Sequence, residues 1–144
     1  MKNLKTEIVI DAPADKIWTV LMDHEAYPSW NPFIKNISGN TQVGGKLSVK
    51  IQSDGSKPMH FTPVVLVNNG NDEFRWVGKL FIKGLFDGEH FFILEPINKN
   101  QTRFIHGENF TGLLSGILWK MIGSDTQKGF EAMNVKMKSR VESI

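Results

Sequence analysis

Between Phe33 and Thr111 the chain is a succession of short alternating polar and apolar runs, and no connection between consecutive runs is long enough to cross over a sheet. The breaks carry turn chemistry: Gly39-Asn40, Gly44-Gly45, Asn68-Asn69-Gly70-Asn71, and Pro96 through Asn100. Parallel neighbours need a crossover of about a dozen residues or more, so successive strands here must pair antiparallel. Six strands fit the segment as a meander.

Outside that segment the apolar period changes. Thr6 to Asp11 alternates, with Ile8 and Ile10 on one face, and Pro13 then presets the backbone for a first helical turn. Ala14, Ile17, Trp18 and Leu21 recur at helical spacing; Asp23 is placed to cap a second, shorter helix that Pro28 should end. After Gly112 the residues Leu114, Leu118, Ile122, Phe130, Met133, Met137 and Val141 form one long stripe. Gly123 followed by Ser124-Asp125-Thr126-Gln127 matches a capping box, a place for this last helix to bend or restart. The expected class is α+β: a curved seven-stranded antiparallel sheet around a long C-terminal helix, with two short helices after strand 1 and that strand at an edge or across a crossover.

The 144 residues, 40% hydrophobic and 22% charged, without repeats or linkers, suit one globular domain over 1–144. Seventeen Lys and Arg against fifteen Asp and Glu give a net charge of +2, and the basic residues are scattered singly, which argues against nucleic acid as a partner. With no cysteine there is no disulfide, thiolate nucleophile or thiolate zinc site, which fits a reducing compartment. Met1 to Ile10 does not read as a signal peptide, so a cytoplasmic location is expected. The apolar stretch Gly112 to Trp119 ends at Lys120, well short of the roughly 20 residues that span a bilayer, so stable membrane insertion is not expected. No nucleotide or cofactor motif is present; in particular Gly84 to Gly88 lacks the Lys-Ser/Thr of a phosphate loop and reads as a mobile rim with Leu85 and Phe86 as gates.

Strand parity locates a polar cluster. In Asp87 to Pro96, Asp87, Glu89 and Glu95 share one face and His90, Phe92 and Leu94 the other, which turns inward. On the following strand Arg103 and Asn109 point out, and Phe104, His106, Glu108 and Phe110 point in. A hairpin centred near Lys99 sets His90 opposite Glu108 and Phe92 opposite His106; a slip of two sets His90 opposite His106. Phe74, Trp76 and Leu80 share the inner face of the preceding strand, joined by Phe61, Pro63 and Val65 if Asn69-Gly70 is a two-residue turn. A buried carboxylate such as Glu108 needs a partner or water, and an internal wet space meets that need.

These residues resemble a known family. Ile10-Asp11-Ala12-Pro13 leads to Ile17-Trp18, Asp23 is followed by Tyr27 and Trp30-Asn31-Pro32-Phe33, and Gly44-Gly45 precedes a strand. Further on come Pro58-Met59-His60-Phe61-Thr62-Pro63, Phe74-Arg75-Trp76-Val77-Gly78, Gly88-Glu89-His90-Phe91-Phe92 and the run Arg103 to Gly112. Together and in order they resemble the START/SRPBCC superfamily, with its helix-grip fold, and within it the bacterial polyketide cyclase/dehydrase branch. That scaffold hosts transporters, receptors, cyclases and chaperone activators, so the resemblance implies fold more than activity.

The leading expectation is a binding protein that encloses a small, largely hydrophobic molecule, lipid-, polyketide- or aromatic-like, in a cavity between sheet and C-terminal helix. Its candidate lining is Trp30, Phe61, Trp76, His90, Phe92, His106, Glu108, Phe110, Leu114, Leu118 and Phe130, with His90, His106 and Glu108 holding the polar group. Trp30 and Trp76 either stack on a flat ligand at the mouth or are plain core. The runner-up is a cyclase or dehydratase using the same trio for acid-base chemistry; a third reading is a protein-interaction module. The trio as a metal site, Leu113 to Ile122 as a membrane-surface helix, and Phe91 with Ile93 as a homodimer contact are the remaining alternatives.

Overall fold

The computed structural model describes residues 2–53, 55–79 and 84–144; Leu80 lies outside them. In chain order come β1 (Lys2–Ile10), α1 (Ala14–Met22), a 3-10 turn at His24–Ala26, α2 (Tyr27–Trp30), β2 (Ile34–Gly39), β3 (Leu47–Ile51), β4 (Met59–Phe61), β5 (Val64–Asn69), β6 (Glu73–Lys79), β7 (Asp87–Asn98), β8 (Gln101–Thr111) and α3 (Ser115–Glu142). All described strand pairs are antiparallel; between consecutive strands the short connections require this, and β1 against β8 follows the same sense. One sheet runs β1-β8-β7-β6-β5 and the other β2-β3-β4. A bridge between Lys46 and Val64 and a bond from Leu47 N to Pro63 O (3.0 Å) link the two sheets.

Eight described strands replace the seven expected because the run 59–69 is broken at Thr62-Pro63. Pro63 has no N–H to give a ladder, so β4 pairs with β3 while β5 turns away to β6. The β5–β6 turn also differs: it closes Asn69 on Glu73 over three residues, with Asn71 in the left-handed region (φ 65°), not over two. A bulge between Val65 and Val67 then restores parity and sets Val65 opposite Trp76. β1 joins at the edge, against β8.

Pro13 is the N-cap of α1, as expected. Pro28 does not end a helix: it sits in the first turn of α2, where its missing N–H costs nothing, and the helix ends at Asn31. α3 runs 28 residues without restarting at Gly123. Thr126 Oγ1 donates to Ile122 O (2.9 Å), so its hydroxyl serves the helix interior and not a cap. Phe33 lies flat against α3 at Gly129, where an added Cβ would come within 2.4 Å of its ring. Phe130, Met133, Met137 and Val141 of α3 are fully buried against the sheet.

Candidate functional site

The two longest strands, β7 and β8, cross the molecule side by side, and their register pairs His90 with Glu108 and Phe92 with His106. This is the hairpin centred near Lys99, closed by Asn98 and Gln101. The inward parity holds: His90, Phe92, Leu94, Phe104, His106, Glu108 and Phe110 are buried.

Glu108 Oε1 lies 3.0 Å from His90 Nδ1, and His90 Nε2 lies 2.7 Å from His106 Nε2. His106 Nδ1 reaches Asn134 Oδ1 of α3 at 3.0 Å. Asn134 Nδ2 donates to Thr6 Oγ1 of β1 (2.8 Å), and Thr6 Oγ1 donates to the His106 carbonyl (2.8 Å). The trio expected from parity is thus part of a five-residue chain strung in a line, with both nitrogens of His90 engaged by protein. Thr6 and Asn134 were not anticipated. Their signals were present, a threonine on the inward face of β1 and an asparagine within the apolar stripe of α3, and neither carries a chemical motif.

Aromatic rings sheathe this line. Trp76 stacks on His90 (4.8 Å between centroids, 19°) and Phe130 on His106 (4.1 Å, 11°). Burial favours uncharged forms throughout: His90 is pushed down to about 3, and Glu108 is pushed up to about 8. His106 is also lowered, by burial and then by the neighbouring His90, against the opposing Asn134 hydrogen bond.

At the Glu108 end the interior opens into a cavity of about 270 Å³, lined by Phe33, Ile51, Met59, Phe61, Phe110 and Ile122 with His90 and Glu108 at one wall. Gln52, Ser53, Ser56, Lys57, Asp125 and Thr126 complete its lining. Ser53 Oγ donates to Asp125 O (3.2 Å), tying the segment after β3 to α3. Glu108 can lie here because Gly88, beside it on β7, has no side chain: a Cβ there would sit 2.0 Å from Oε2.

Of the eleven residues anticipated for the lining, Phe61, His90, Glu108 and Phe110 border this cavity. Trp76, Phe92, His106 and Phe130 lie in the packed interior behind it, and Leu118 is half-buried. Trp30 is half-buried against Tyr27 (5.3 Å), away from the cavity lining, with an indole N–H that finds no acceptor among the described residues. Leu114 is the N-cap of α3 and 39% exposed. Phe86, expected at a mobile rim, is instead fully buried and stacked on Phe110 (5.3 Å, 10°). Phe91 is no open contact face either: the Arg75 guanidinium covers it at 4.6 Å, itself held by Glu73 and Glu89 (2.8 Å each). Sequence reasoning missed Phe33, Ile51, Met59 and the polar Gln52, Ser53, Ser56 and Lys57, because the approach of Phe33 and of Ser53 to α3 is a long-range fact that local period does not carry.

The comparisons with known proteins agree with this arrangement. Residues 1–142 match the family described as "Polyketide cyclase / dehydrase and lipid transport", and the chain belongs to that family. Among curated proteins nothing matches the sequence. Among solved structures the chain is similar to the Zhui aromatase/cyclase from Streptomyces sp. R1128, with a TM-score of 0.79 and 12% identity over 98% of this chain and 93% of that one. It is also similar to a START superfamily protein from Mycobacterium smegmatis (TM-score 0.73, 20% identity, 98% and 97% covered). A third is norcoclaurine synthase from Thalictrum flavum, in complex with dopamine and hydroxybenzaldehyde (0.74, 14% identity, 99% and 87%). At these identities the likeness shows the helix-grip fold. No helix among the described residues is long and apolar enough to cross a membrane.

Proposed function

We propose that this chain binds a small, largely apolar molecule of lipid, polyketide or aromatic type in the cavity between its sheet and α3, with the ligand's polar group at Glu108. One observation carries the reading: a buried carboxyl group, held through one oxygen by His90, stands in the wall of a hollow that Phe33, Ile51, Met59, Phe61, Phe110 and Ile122 also line. Apolar burial supplies affinity, and Glu108 orients the guest. Titration of the purified protein with the neutral fluorophore N-phenyl-1-naphthylamine tests it. Ile122→Trp, which fills the hollow, should weaken binding by about tenfold or more while the far-ultraviolet spectrum stays unchanged; equal affinity in the filled variant overturns the assignment.

A second reading is favoured by the hydrogen-bonded line itself. Glu108 pushed up to about 8 is poised to exchange a proton with a bound substrate near neutral pH, as a cyclase or dehydratase requires. Turnover of a poly-β-ketone substrate that persists unchanged in Glu108→Gln would remove this reading.

A further inference from the structure

The direction of every hydrogen bond in the buried line follows from one main-chain atom. A carbonyl oxygen only accepts, so the Thr6 hydroxyl must spend its single hydrogen on His106 O. Thr6 Oγ1 is therefore an acceptor toward Asn134, which fixes Asn134 Nδ2 on that side and Oδ1 toward the ring. His106 Nδ1 must then carry hydrogen. In a neutral ring Nε2 is bare, so His90 Nε2 donates to it across 2.7 Å. His90 Nδ1 is in turn bare, and the hydrogen in its 3.0 Å contact has to come from Glu108 Oε1.

We propose that this relay fixes Glu108 as an uncharged acid whose Oε1–H is committed to His90 and whose bare Oε2 is the acceptor offered to the cavity, so that the ligand's polar group is a neutral hydroxyl, phenolic or enolic, and not a carboxylate. The inference rests on the cavity reading above and adds to it the polarity of the guest. Moving the proton from Oε1 to His90 Nδ1 satisfies the same contacts but creates two ions among Trp76, Phe92 and Phe130, where desolvation opposes them. Among the described residues His90 is the sole group within ion-pair distance of Glu108; Lys57 and Asp125 belong to exposed parts of the cavity lining. Of the hydroxyls in the lining, Ser53 and Thr126 have given their hydrogens to main-chain carbonyls, and Ser56 lies on the segment after β3. A carboxylate guest would set its oxygens against the lone pairs of Oε2; a hydroxyl guest completes the line.

Three probes of one shape test this: naphthalene, 2-naphthol and 2-naphthoate, titrated calorimetrically at pH 6.5. The wild-type protein should prefer 2-naphthol over naphthalene by about tenfold, the worth of one buried hydrogen bond, and bind 2-naphthoate more weakly than 2-naphthol. Glu108→Leu should erase the preference for the hydroxyl. Glu108→Gln should restore it, because the amide N–H replaces Oε1–H toward His90 and the amide oxygen replaces Oε2. In the wild-type protein, independently of any ligand, the carbon-13 resonance of the Glu108 carboxyl at pH 6.5 should be that of the protonated acid. An ionised carboxyl, a preference for 2-naphthoate, or loss of the hydroxyl preference in Glu108→Gln overturns the inference. Binding of naphthalene with no gain from the hydroxyl overturns it while leaving the cavity reading intact; failure of all three probes removes both.

Discussion

The two halves of α3 face the same sheet and meet it differently. Toward its C-terminus, Phe130, Met133, Met137 and Val141 are wholly enclosed, and the strands opposite supply Phe92, Phe104 and His106 to interleave with them. Toward its N-terminus, Ile122 borders the cavity, while Leu113 (86%), Ile117 (64%) and Met121 (70%) are exposed. The sheet explains part of the contrast. Gly78 on β6 and Gly88 on β7 are paired directly, so the strands there present no side chains, and the Phe61 ring and the Glu108 carboxyl lie flat in the space left. The missing side chains at two facing positions give Phe61 and Glu108, both of the cavity wall, their places. In the closed half the donors and acceptors of His106, Asn134 and Thr6 are matched within the protein, whereas Glu108, on the boundary, lines the open half.

The strongest test of that contrast is Phe130→Ala. The ring is fully buried, stacked on His106 and edge-on to Phe33 (5.3 Å), so its removal leaves a void in the closed half. Urea denaturation should show a loss of about 3–5 kcal/mol, the usual cost of a fully enclosed aromatic. A loss under about 1 kcal/mol would mean that the closed half is as loosely filled as the open one.

A smaller effect comes from pH and reports on the boundary. Folded His24 (about 4), His90 (about 3) and His106 (lowered) refuse protons that the unfolded chain accepts below its ordinary histidine value of 6.5, so stability falls as pH drops below that point. Folded Glu108 keeps its proton up to about 8, whereas the unfolded carboxyl releases it near 4.5, so this group draws stability down as pH rises between those values. Three histidines outweigh one carboxyl below 6.5, which leaves a maximum near that pH and a descent from there to about 8. One proton corresponds to about 1.4 kcal/mol per pH unit. Chemical denaturation across pH 6.5 to 8 should show the descent in the wild-type protein and a flat limb in Glu108→Gln; equal slopes would place the raised carboxyl elsewhere.

The closed half was largely legible in the sequence and the open half was not, for one physical reason. Parity along β7 and β8 is a local property, and it puts His90, His106, Glu108, Phe92 and Phe104 on one face; it leaves two registers open, of which the structure has the one that pairs His90 with Glu108. The cavity wall depends on which strand ends where. Pro63 announces itself in the sequence, yet its consequence, that β4 stays with β3 while β5 goes to β6, depends on which strands pair on either side of it. The size of Trp30 and Trp76 fits a ligand platform and a core equally, and Trp76 is spent on His90. Gly78 and Gly88 were visible as residues; that they face each other follows only from the β6–β7 register.

The smallest expected effect sharpens the comparison from the open side. Met59 lines the cavity from β4 and is only half-buried, so shortening it to Ala enlarges a space already continuous with the mouth and creates no sealed void. The cost then reduces to the apolar area that Met59 itself removes from water, about 1 kcal/mol or less for a half-buried side chain. Urea denaturation of Met59→Ala set beside Phe130→Ala measures the difference between the two halves directly. Comparable losses would mean that the sheet grips the helix equally along its length, and the hollow would then be a packing gap and not a place kept open for a guest.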